Sequence, residues 1–137
     1  AEMMMATNAD CCYGDLEYVA ENNFNKVIRR WKSQLYYDGL FEKGWHPPHP
    51  TFFVKKSIFD KYGGFSEDIR IYPRCDWEYW ARLTQYTEFL FIPQFLGIYQ
   101  EHQDSIVAKE KMENSTLTKE HNEFIRIYIR FFLFANN

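Results

Sequence analysis

Three prolines within four positions, Pro47, Pro48 and Pro50, constrain this chain more than any other feature. Each fixes its own φ and turns the residue before it away from helix, so His46 and His49 are expected on extended backbone. Structure must start afresh after them. Thr51-Phe52-Phe53-Val54 is predicted as a short buried strand. Ser57 to Tyr62 follows as a short helix stopped by Gly63-Gly64, with Phe65 making the hydrophobic contact that trails a glycine cap. Pro73 then precedes Cys75-Asp76-Trp77-Glu78-Tyr79-Trp80-Ala81-Arg82-Leu83. There Asp76 stands where an N-cap is expected, and Trp77, Trp80, Ala81 and Thr84 fall on one helical face.

At 137 residues the chain can bury one real core but not two. With 46% hydrophobic and 20% aromatic residues it is no disordered segment, and its rings must be buried or presented to a ligand. A formal net charge of -3 argues against nucleic acid as the main partner. No apolar run reaches membrane-spanning length, and no signal peptide is visible. The adjacent Cys11 and Cys12 with Cys75 make no disulfide framework, and a reducing cytoplasm is the simplest setting. A zinc site drawn from Cys11, Cys12, Cys75, His46 and His49 lacks any C-x-x-C pair. Ala1 is an unusual start for a natural chain, so a fragment is expected.

Met3-Met4-Met5 has no clear period and fits the end of a helix. Asp10 to Asp15 reads as a short buried strand closing on a turn at Gly14. Between Asn22 and Gly44, apolar residues at 24, 27, 28, 31 and 35 fit a helix face. Arg29, Arg30 and Lys32 cluster there, as a solvated face or as a contact for an anionic lipid surface or a diphosphate. Glu88–Ile92 and Phe95–Tyr99 are two strands separated by Pro93-Gln94. Lys109 to Lys119 is a polar connector, in which the sequon Asn114-Ser115-Thr116 has no meaning in a cytoplasm. Leu117, His121, Phe124, Ile125, Tyr128 and Phe132 share a helical face, with Ser115 or Thr116 as caps. Ile125, Ile127, Ile129 and Phe131 also alternate as in a strand. The segment suits core packing, or docking on a partner or a membrane surface. There is no P-loop, dinucleotide glycine pattern or nucleophile elbow.

Pro47 to Phe65, PPHPTFFVKKSIFDKYGGF, followed by an Asp-Trp-Glu that opens a helix ending in Ala-Arg-Leu, resembles family-two inverting glycosyltransferases of the GT-A fold. The likeness runs from Asp10 to about Ile106 and covers only the second, acceptor-side half of such an enzyme. It implies an α/β fold, a mixed sheet with flanking helices. Residues 1–107 would be a partial GT-A (nucleotide-diphospho-sugar transferase) domain, and 108–137 a connector with a C-terminal amphipathic helix. The implied activity is transfer of a sugar, with inversion, from a nucleotide-diphosphate donor to a glycan or lipid-linked acceptor. The implied setting is cytoplasmic, with peripheral association at the inner face of the membrane. The absent partner would be the N-terminal half of the same domain.

Inversion needs a base for the acceptor hydroxyl, a cation for the departing diphosphate, and a pocket that holds donor and acceptor in line. On the resemblance, Asp76 is the base and His102 a ligand of a divalent metal, Mn²⁺ or Mg²⁺. Backbone N–H groups and the dipole at a helix start favour a carboxylate such as that of Asp76. Asp15 ends a Tyr-Gly-Asp that in the resembling enzymes lies near the sugar-nucleotide site; an ordinary turn fits the same residues. His49, Trp77 and Glu78 flank the base, since rings pack on sugars and a carboxylate accepts their hydroxyl hydrogen bonds. Trp77 and Trp80, three apart, equally fit a core. Arg82 has a natural partner in Glu78, four residues earlier. Tyr99, His102, Ser105 and Ile106 match the family's pattern, whereas Gln100 and Val107 depart from it, and the family's Asp-x-Asp is not in this chain. Two rival readings stand beside this one. They are a non-catalytic, aromatic-rich carbohydrate-binding module, and an α+β interaction domain in which Asp76 is only a helix cap.

Overall fold

The computed structural model describes residues 2–102 and 115–134, and its frame is a four-stranded mixed sheet with flanking helices. Strand β1, Cys11–Ala20, is the centre, and its first six residues are all buried. Strand β4, Phe89–Gln100, runs parallel to it along one whole edge, from Cys11 opposite Phe89 to Val19 opposite Gln100. Two antiparallel strands divide the other edge. β3, Phe53–Val54, pairs with Cys11 and Cys12, and β2, Asn23–Trp31, pairs with Leu16 to Ala20. A parallel neighbour needs a long crossover. Here it holds, besides β2 and β3, 3-10 turns at Phe41–Lys43 and His49–Thr51, then helices α2, Lys56–Tyr62, and α3, Cys75–Leu83. Helix α1, Glu2–Thr7, precedes the sheet; helix α4, Ser115–Tyr128, follows it and widens into a π turn at Ile129–Leu133.

Three expectations are corrected in the sheet. β1 does not end at Gly14; it runs on for a total of ten residues. Gly14 serves a close approach instead, because a Cβ there would meet the Gln94 carbonyl oxygen and the Leu96 side chain at 2.7 Å. Opposite it the register jumps from Ile92 to Phe95, so Pro93-Gln94 is a bulge inside one continuous strand rather than a gap between two. A bulge tolerates proline because no ladder bond is lost there. The third correction is β2, which is a strand where a helix face was expected. Glu21-Asn22 make a two-residue turn, and Phe24, Val27, Ile28 and Trp31 are all good strand formers. Its cations lie in solvent against acids and rings: Arg29 bridges Glu101 at 3.1 Å and covers Tyr18 at 3.7 Å, and Arg30 bridges Glu17 at 2.9 Å. Charges of this kind protect an exposed edge from pairing with another chain.

The segment after the prolines keeps its order but shrinks. Thr51 belongs to the 3-10 turn, and only Phe53–Val54 pair as a strand, with Phe53 exposed. Helix α2 forms where expected and ends at Gly63, whose φ of 80° suits glycine. The C-terminal segment is helix, not strand. Its buried stripe holds Ile125 and Ile129, while Phe124 from the expected face is half-exposed. Ser105, Ile106 and most of the Lys109–Lys119 connector lie outside the described residues.

The core gathers on Tyr13. Its ring meets Trp45 at 5.6 Å, Phe91 at 5.3 Å and Phe52 and Phe89 at 6.3 Å, and its hydroxyl donates to the Gln34 carbonyl at 2.7 Å. Tyr79, Trp80, Ala81 and Leu83 of α3 close over this cluster, with Ile125 of α4 and Ile129 of the π turn beside them. Each large side chain so buried contributes roughly 1.5–3 kcal/mol. No helix among the described residues is long and apolar enough to cross a membrane.

Candidate functional site

The proline segment is fastened to the sheet by one hydroxyl. Thr51, fully buried, accepts the Gly14 N–H at 3.2 Å and has the carbonyls of Pro48 and Gly14 at 2.8 and 3.0 Å as acceptors. Pro47 and Pro48 are buried, and the next residue, His49, emerges at the surface. Meanwhile α3 starts at Cys75. Its N-cap is Arg74, without a side-chain cap bond, so Asp76 is not the cap but lies in the first turn. There Asp76 Oδ1 accepts the Trp77 N–H at 2.8 Å, and Oδ2 sits 3.5 Å from His49 Nδ1. The His49 side chain is 51% exposed and that of Asp76 30%, so a ligand can reach both.

Aromatic rings wall this pair. His49 lies 5.7 Å from the Trp80 ring and 6.2 Å from Phe65, and Trp80 is itself stacked on Phe52 at 3.9 Å. Beside them His46, half-buried, is packed between Trp31 at 5.4 Å and Trp77 at 5.6 Å. Burial lowers the His46 pKa below the ordinary 6.5, against the raising effects of the Pro47 carbonyl and Asp76. Arg74, whose Nε donates to Asn122 Oδ1 of α4 at 3.0 Å, joins His49 in lowering it.

The other residues singled out from sequence lie elsewhere or inward. Trp77 and Trp80 are each 5% exposed, so they are core rather than platforms facing solvent. Glu78 is 2% exposed, and Arg82 Nε donates to it at 2.9 Å. The same guanidinium donates to the carbonyls of Tyr62 and Gly64 at 2.8 and 2.6 Å, tying α3 to the end of α2. The expected Glu78–Arg82 pair is present, and it takes up the carboxylate that was assigned to a sugar. Asp15 is likewise buried at 2%, where it accepts the Ser33 N–H at 2.8 Å and meets Lys32 Nζ at 3.1 Å. It latches the segment after β2.

His102 follows the end of β4 and is exposed, beside the β1–β2 hairpin, where Glu101 N–H donates to the Val19 carbonyl at 3.2 Å. The Pro50 carbonyl crosses β4 at Gly97, five residues earlier, which is roughly 16 Å along a strand. His102 is therefore not brought into the Asp76–His49 pair. Among the described residues, no group of three or more His, Cys, Asp or Glu is placed to hold a metal ion, including the cysteines and histidines considered for zinc.

The site is thus small: a reachable carboxylate with one oxygen anchored by a backbone N–H, an imidazole beside the other, and a buried aromatic wall. Such a carboxylate can take a proton from a ligand hydroxyl lodged against His49. Sequence reasoning missed His46 as a member of the wall. Its signal was the His-Pro-Pro-His spacing, which fixes the backbone at both imidazoles. Searches against protein-family models, curated proteins and solved structures returned no match to this chain.

Proposed function

We propose that this chain is the acceptor-side part of an inverting, GT-A-type sugar transferase with Asp76 as its base. As an acceptor hydroxyl attacks the anomeric carbon of a nucleotide-diphosphate sugar, its proton passes to the Asp76 carboxylate. The bond from that carbon to the diphosphate breaks, and the diphosphate leaves with the electron pair. The new glycosidic bond forms on the opposite face of the sugar. His49 would orient the incoming hydroxyl, its Nδ1 lying 3.5 Å from Asp76 Oδ2. The acceptor would be a glycan or a lipid-linked sugar.

The observation that carries the reading is the Asp76–His49 pair, 3.5 Å apart and open to solvent in a region whose other carboxylate, Glu78, is sequestered. A cation for the diphosphate, Mn²⁺ or Mg²⁺, belongs to the reading as well. The described residues do not form a site for it, and His102 lies away from Asp76, so its ligands would come from the donor-binding half. The nucleotide would also be held there.

Calorimetry tests this division of labour. The 137-residue chain, titrated with nucleoside diphosphates and Mn²⁺, should bind more weakly than about 10 μM, roughly -7 kcal/mol. Expressed together with a donor-binding half, it should release nucleoside diphosphate from a sugar nucleotide when an acceptor is added. Tighter binding by the chain alone, or an assembled protein that transfers nothing from any of a panel of donors, would contradict the proposal.

A further inference from the structure

His46 has one nitrogen spoken for. Its Nδ1 lies 3.1 Å from the Pro47 carbonyl oxygen, and a carbonyl only accepts, so Nδ1 carries the proton. In a neutral imidazole that leaves Nε2 as a lone-pair acceptor. Among the described residues nothing donates to it. The ring cannot swing away to find a partner without losing its contacts, because Trp31 from β2 and Trp77 from α3 hold it from two separate elements. Of the charged and titratable groups around it, Asp76 favours the imidazolium, while Arg74 and His49 oppose it and burial opposes it most. A neutral, tautomer-fixed acceptor cannot attract a phosphate by charge, and Arg74 disfavours an ammonium. What it can take is a neutral O–H or N–H, and of these a sugar ring offers the O–H.

We propose that His46 Nε2 accepts a hydrogen bond from a hydroxyl of the sugar acceptor, next to the hydroxyl that Asp76 deprotonates, and so helps select a polyol for the site. This rests on the sugar-transfer reading. His46 is a binding residue here, whereas Asp76 is the base. Its contact would be worth the most to acceptors whose vicinal hydroxyl is free, and nothing to a derivative with that hydroxyl removed.

Long-range ¹H–¹⁵N spectra of the labelled chain test it without requiring turnover. Near neutral pH, His46 should show a protonated Nδ1 and a bare Nε2. Addition of glucose, maltose or N-acetylglucosamine, up to their solubility limits, should shift the Nε2 resonance, and inorganic pyrophosphate should not. His46→Phe, which keeps a ring between the two tryptophans, should melt near the wild type yet bind the sugar about tenfold more weakly, roughly 1.4 kcal/mol. His46→Gln, which restores an acceptor, should recover part of that loss. A protonated or Nε2–H imidazole near neutral pH overturns the inference. Shifts at His49 with an unmoved His46 Nε2 also overturn it, while leaving the sugar reading in place. Silence of every residue toward all three sugars overturns both.

Discussion

Thr51 joins the proline segment to β1 with a single side chain, and that makes it a sensitive residue near the site. Its hydroxyl is the partner of the Gly14 N–H, at a point where Gly14 is also pressed against the bulge of β4. Thr51→Val keeps the shape and strands that buried donor, so it should cost about 1–3 kcal/mol in a urea denaturation, the usual penalty for an unmet buried polar group. An unchanged midpoint would mean that the latch holds nothing. Three other residues give stability a pH dependence. Burial pushes the Cys11 thiol from 9.0 up to about 11, so the unfolded chain loses that proton first. Its contribution is whole below pH 9.0 and is lost between there and about 11. Tyr13, also raised by burial, acts in the same direction. For His46 the sign reverses. Its pKa is lowered below 6.5, so the unfolded chain gains a proton first and stability falls as pH drops through 6.5. Denaturation midpoints across pH should therefore fall at both ends, with His46→Phe flattening the acid limb and Cys11→Ala the early part of the alkaline limb. An acid limb untouched by His46→Phe would refute the assignment to that residue.

Elements whose causes are local were legible in the sequence, and those set by neighbours were not. Helix α2 stops where Gly63 stops it, and Arg82 reaches Glu78 because four residues bring them to one helical face. β2 has the spacing of an amphipathic helix at 24, 27, 28 and 31, yet β1 beside it offers a ladder and the turn at Glu21-Asn22 delivers it there. The bulge at Pro93-Gln94 depends on contact with Gly14, almost eighty residues away, which no local pattern records. The Glu78–Arg82 joint carries the prediction at this scale. Glu78 is 3% exposed at its side chain and Arg82 20%, so removing the cation leaves a buried carboxylate uncompensated. Arg82→Ala should cost about 3–5 kcal/mol, while the double variant Glu78→Leu, Arg82→Met should regain most of it. If the double variant were no better than the single one, packing rather than charge would govern this joint.

Across the whole molecule, one buried strand places everything that matters. β1 carries Gly14 for the Thr51 latch, Tyr13 for the core under α3, and Asp15 for the loop after β2, so three distant segments are referenced to three consecutive residues, 13–15. The mixed α/β class and the meeting of His49 with Asp76 could be read in advance, because both flank punctuated segments of fixed order. That Asp76 is in the first turn instead of the cap, and that Glu78, Trp77 and Asp15 face inward, could not. Residue type names what a side chain can do, and only packing decides whether a ligand reaches it. Asp76 is where the functional reading stands or falls. Asn at this position is nearly isosteric and its Oδ1 can still accept the Trp77 N–H, but it cannot take a proton from a hydroxyl. On the proposed sugar-transfer reading, the decisive measurement is kcat and thermal melting of the chain assembled with a donor-binding half, with Asp76 and with Asp76→Asn, side by side. If Asp76 is the base, melting should be unchanged to within about 0.5 kcal/mol. Turnover should then fall by about 10²- to 10⁴-fold. An Asn variant that melts and turns over like the parent would contradict this role and leave Asp76 as no more than a first-turn acid of α3.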